Sequence, residues 1–156
     1  MTKDARSLIA NWMVLFSAVV LAISLFLTWS SLSPAYVALA ERLGTLQGVA
    51  RNPTAWQVYS AADVLLALLA VALLVVALAG TRKARIVTLL ASALALAFAI
   101  HAVDVPPTNG APDGFRPALD IRSYVPPSPT PGAGETAAII ALVAAIGGLA
   151  LSLTTD

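Results

Sequence analysis

The chain has no cysteine, which removes disulfides, thiolate metal sites and thiol nucleophiles together. Charge is nearly as scarce: Asp, Glu, Lys and Arg make up 11% of the 156 residues, against about 25% in an ordinary soluble domain. A soluble fold could not cover itself with so little. The net charge is only +1, so the clustered Lys and Arg that nucleic-acid recognition requires are missing and no nucleic-acid partner is expected. A single histidine cannot build a His-rich zinc site without cysteine to help it. There is no phosphate-binding glycine loop and no nucleophile-elbow frame, and Asp113, Asp120 and Glu135 are too scattered to act as paired carboxylates. The expectation is a protein that is not an enzyme and that carries no cofactor and no metal.

What is abundant is apolar surface, at 59% of residues, gathered into long runs. From Ala61 to Gly80 the only ionisable side chain is Asp63, and from Ile86 to Ile100 there is none. A run of about 20 residues at about 1.5 Å per residue crosses about 30 Å of hydrocarbon. Four spans are expected, at about 8–29, 56–80, 85–103 and 135–153, with long loops at about 30–55 and 104–134. The fold class is all-α: four transmembrane helices in an antiparallel bundle forming one domain over residues 1–156. The first run is too long for the apolar region of a signal peptide, about 7–15 residues. The nearest small-x-small site, Ala38-Leu39-Ala40, comes well beyond it, so the first span is expected to be retained. Trp12, Trp29, Trp56 and Tyr59 fall near span ends and are expected as anchors at headgroup depth.

The two long loops differ in chemistry. Ser33-Pro34 is a helix start, and Tyr36, Leu39, Leu43 and Leu46 then recur at spacings of three and four. This predicts a short amphipathic helix lying at the interface. The second loop holds eight of the ten prolines, which forbids regular helix or central strand and favours extended and turn backbone. Within the spans, Ala18 and Ala22, then Ala91, Ala95 and Ala99, then Gly147 and Gly148 form small-residue faces that let helices approach closely. A leucine at Ala95 or Gly147 is expected to push two helices apart.

Short cytoplasmic segments collect Lys and Arg. Lys3 and Arg6 precede the first span, and Arg82, Lys83 and Arg85 sit between the second and third, whereas Arg42, Arg51, Arg116 and Arg122 are spread through the two long loops. Both termini are therefore expected in the cytoplasm and both long loops outside, in the plasma membrane.

One ionisable pair stands out. Counted from the basic connection, Asp63 and His101 fall at nearly the same depth, just inside the outer surface. Ionisable groups in spans face the bundle or water and tend to pair. The pair is therefore either an outward-facing site for a proton-linked or small-molecule transporter or sensor, or a helix-to-helix hydrogen bond at a wet rim. Charge at mid-membrane, which ion paths need, is missing.

The end of the first span, Leu25-Phe26-Leu27-Thr28-Trp29, and the opening of the second, Ala55-Trp56-Gln57-Val58-Tyr59-Ser60-Ala61-Ala62-Asp63, followed by a Leu/Ala run, resemble a group of small four-span membrane proteins of high-GC actinobacteria. Thr28 stands where that group tends to have proline. The resemblance covers the spans and implies their architecture; the group has no agreed activity. The functional expectation is a structural or accessory membrane protein acting through outer-loop or helix-face contacts, with the bilayer and a membrane-protein neighbour or a second copy as partners.

Overall fold

The computed structural model describes residues 2–31, 34, 38, 52, 54–58, 60–104 and 130–154. In chain order these form α1 (Lys3–Ser24), β1 (Ser30–Ser31), α2 (Ala55–Val58), α3 (Ser60–Ala79), α4 (Arg82–Asp104), β2 (Thr130–Pro131) and α5 (Ala133–Leu153). Among the described residues, α1, α3, α4 and α5 are long and apolar enough to cross a membrane, and they pack as a bundle. The interfacial helix expected after Ser33, but for Pro34 and Ala38, and most of the proline-rich loop lie outside the described residues.

Helix boundaries depart from the expected spans wherever a cap decides them. The Thr2 hydroxyl accepts from the Ala5 N–H at 3.4 Å and Asp4 sits in the first turn, both favourable at a helix N-terminus. α1 therefore starts at Lys3. It ends at Ser24 rather than Trp29, because the N–H groups of Phe26 and Leu27 reach back only three residues, to Ile23 and Ser24, and the chain turns. The basic segment is likewise not a loop. Thr81 caps α4, its hydroxyl accepting from the Ala84 N–H at 3.3 Å, so Arg82, Lys83 and Arg85 occupy the first turn of α4 and only Gly80 and Thr81 join it to α3.

The closest seam lies between α1 and α5, the elements furthest apart in the chain. α1 packs most extensively against α5 and next against α3, and α4 packs against α5. The hairpin partners α3 and α4 share far less contact, despite their short connection. Along α5, Gly134, Ala138, Ala141, Ala145, Gly148 and Ser152 are buried at spacings of three and four. They face Ala10, Val14, Ser17, Ala18 and Leu21 of α1. The approach is close at Gly148, where an added Cβ would come within 2.9 Å of the Met13 Cβ and 3.0 Å of the Ala10 carbonyl oxygen. Gly147, one residue away, would meet only the mobile end of Met13 at 3.4 Å.

The seam is tied off by a short antiparallel ladder in which Ser30 pairs with Pro131 and Ser31 with Thr130. The hydroxyls of Ser31 and Thr130 lie 2.7 Å apart. Proline is tolerated because a two-stranded ladder is all edge and has no central strand. The proline-rich loop thus ends in a two-residue edge strand, the extended backbone that proline allows. The Gly132 N–H donates to the Trp29 carbonyl at 2.7 Å and the Gly134 N–H to the Thr28 carbonyl at 2.8 Å, while Thr28 also bridges to Thr54.

These contacts separate two adjacent glycines. Gly148→Ala should destabilise the bundle by about 1–3 kcal/mol, the usual cost of overpacking. Gly147→Ala should be neutral or gain up to about 1 kcal/mol from helix propensity. Thermal unfolding in mild detergent measures both, and equal losses at the two positions would contradict the seam.

Candidate functional site

Two features of the bundle have chemistry to offer: a sealed polar layer at the end where the β ladder lies, and an open apolar cleft between α3 and α4.

The polar layer is built around Trp29. The indole is 1% exposed, and its Nε1–H donates to the Ser24 carbonyl at 2.8 Å, which also accepts from the Leu27 N–H at 3.2 Å where α1 ends. An added Cβ at Gly134 would lie 2.6 Å from the indole Cδ1, so the ring is wedged between the end of α1 and the first turn of α5. The expected headgroup anchor is therefore a core residue. Trp12 and Trp56 are exposed, at 55% and 39%, as anchors must be; Phe26 and Trp56 stack loosely, with centroids 6.3 Å apart. The Tyr59 side chain is outside the described residues. Ser24, Ser30, Asp63 and Glu135 are buried in the same end. The signal for Trp29 was present in the pair Gly132 and Gly134, two residues without side chains at a helix start.

Asp63 belongs to the buried face of α3, with Leu66, Ala70, Leu73 and Val76, and that face packs chiefly on α1. It is 0% exposed, and neither carboxyl oxygen has a hydrogen-bond partner. His101 is exposed. The two residues share a depth but not a contact, because helix rotation turns Asp63 into the core and His101 out of it. At the level of His101 the core position of α4 is Ala102, which is buried. Glu135, 4% exposed, is the first member of a corresponding buried face on α5, with Leu142 and Leu149.

The cleft occupies the space that α3 and α4 fail to close. It measures about 600 Å³ and is walled by Ala62, Leu65 and Leu69 from α3 and by Ala91, Ala95 and Phe98 from α4. Its rim residues are among the most exposed apolar side chains of the chain, with Leu65 at 67% and Leu94 at 73%. Two members of the expected alanine face, Ala91 and Ala95, are partly buried, packed against the core on one side and lining the cleft on the other, and Ala99 is fully buried. The cleft beside Ala95 has room for a larger side chain. Ala18 is buried and Ala22 lines a smaller hollow of about 280 Å³ against α3. Of the cations, Lys3, Arg6, Arg82 and Lys83 are exposed, and Arg85 is partly covered.

An unpartnered carboxyl in an apolar core costs stability, and replacing it by a group of the same shape removes the cost. Leucine has the branching of aspartate with methyls in place of oxygens. Asp63→Leu should therefore stabilise the protein by about 1–3 kcal/mol in thermal unfolding. His101→Gln should change little, and the two effects should add to within about 0.5 kcal/mol, as for groups that do not touch. A larger coupling would mean that the pair meets.

No protein-family model, curated protein or solved structure matches this chain.

Proposed function

We propose that the chain is a non-enzymatic accessory protein of the plasma membrane, an antiparallel four-span bundle with both termini cytoplasmic, which acts through helix-face contact at the cleft between α3 and α4. The observation that carries this reading is the cleft itself. A hairpin joined by two residues leaves about 600 Å³ of apolar space between its arms, with small residues Ala62, Ala72, Ala91 and Ala95 along it. Small residues let a neighbouring backbone come close, and close approach is what drives helix association in lipid. A transmembrane helix of another protein, laid between the two arms, gains the dispersion contacts that α3 and α4 do not make with each other.

A second reading, a small-ligand transporter or sensor, draws its support from the sealed and unpartnered Asp63. Intramembrane carboxyls are costly and are retained mainly where they are used. That reading now rests on Asp63 alone, without His101.

A photo-reactive residue placed at Leu94, on the rim of the cleft, should form one discrete adduct in the native membrane, and the same residue at Ile140, exposed on α5, should not. Ala95→Trp, which fills the cleft, should abolish the adduct while leaving the melting temperature within a few degrees. Equal capture from Leu94 and Ile140 would sink the reading. For the orientation, a reporter active only in the cytoplasm should work after Asp156 and be silent at Gly110; the opposite pattern would reverse the topology.

A further inference from the structure

The cleft continues toward the Gly80–Thr81 turn as a second, shallower groove of about 490 Å³. Val71, Val75 and Val76 of α3 and Ala84 and Val87 of α4 wall it, and Lys83 closes its end at the turn. Three of these valines are exposed, Val71 at 58%, Val75 at 56% and Val87 at 64%, while Val76 is buried, so the groove faces lipid with its floor in the core. Within the groove's stretch of α3, from Leu68 to Val76, the run is about 12 Å at about 1.5 Å per residue. That is close to the hydrocarbon of one leaflet, half of about 30 Å.

The turn end of the hairpin is rich in cations. Lys83 and its neighbour Arg82 are exposed, and Asp63, the only acid between Ala61 and Val103, is buried near the far end of α3, about 24 Å away at about 1.5 Å per residue. A lysine lining an apolar groove lays its methylene stem along the wall and holds its ammonium at headgroup level. A protein helix is a poor occupant here, since it would have to bury that ammonium without a partner. A lipid is a good one, because it brings an apolar chain for the walls and an anion for the mouth.

We propose that this groove binds an anionic phospholipid, one acyl chain lying between α3 and α4 and the phosphate held by Lys83 with Arg82 beside it. Basic pockets between transmembrane helices select anionic headgroups in this way. A zwitterionic lipid carries its own cation to the mouth and is disfavoured. The site adjoins the cleft, sharing Leu68, Ala72, Val87 and Thr88 with it, but does not rest on the contact proposed there.

The test uses the full chain in mild detergent, mixed with phosphatidylglycerol or with phosphatidylcholine of the same acyl chains, and counts retained lipid by native mass spectrometry. One phosphatidylglycerol per chain should be retained in preference to phosphatidylcholine. Lys83→Gln should lower that preference by roughly fivefold, the effect of one cation at an anionic surface. Lys3→Gln removes the same charge from the same end of the bundle and should leave the preference intact. Val87→Trp keeps every charge but fills the groove, and should lose the bound lipid. Inorganic phosphate should fail to displace it. The proposal is overturned by equal retention of the two lipids, by equal losses from Lys3→Gln and Lys83→Gln, by full retention in Val87→Trp, or by displacement with inorganic phosphate. Circular dichroism of each variant confirms that the helices are retained, and Lys83, being exposed, tolerates the exchange.

Discussion

In hydrocarbon, helices gain nothing from hiding apolar surface, because lipid tails are as apolar as leucine; cohesion has to come from how closely two backbones pack. The seam between α1 and α5 is where this chain meets that demand. Alanines and glycines face each other along it, from Gly148 over Ala10 and Met13 at one end to Gly134 under Trp29 at the other. Everything else is arranged around this pair. α3 rests on α1 and α4 rests on α5, so each arm of the hairpin is supported by a different member of the seam. The cleft between the arms follows directly, since two helices docked on separate supports are held apart even though two residues join them.

The polar layer beside the β ladder has the opposite character. There the backbone leaves its helices, and every freed group must find a partner or stay wet. The Ser24 carbonyl takes the indole proton of Trp29, and the Trp29 and Thr28 carbonyls take the amides of Gly132 and Gly134. These bonds seal the end of the seam. Asp63 is the exception within it, buried among groups that are already satisfied, with nothing directed at its oxygens.

The spans were legible because charge-free runs of about 20 residues have one physical use. Their ends were not, because caps outrank hydropathy there: Thr2 and Thr81 start helices inside segments that read as charged loop, and Leu25 to Trp29, though apolar, form a turn. Asp63 was legible as an ionisable group in a span, but its relation to His101 was not. Depth follows from counting residues, whereas rotation depends on which helix each face packs against. A small-residue stripe shows where a close neighbour fits, and on α4 Ala91 and Ala95 meet the core on one side and the cleft on the other.

Pairing the first span with the last has a consequence for biogenesis. α1 emerges from the ribosome about 130 residues before its main partner, and contacts so distant in sequence form late. Until α5 arrives, the carbonyls of Thr28 and Trp29 lack the glycine amides that satisfy them in the finished protein, and the Trp29 indole, already bonded to the Ser24 carbonyl, has no Gly134 packed against it. The three-span intermediate therefore resides in the bilayer as an open product with an unsealed face. The seam is completed only when its second helix is in place, and until then its exposed face is open to wrong partners.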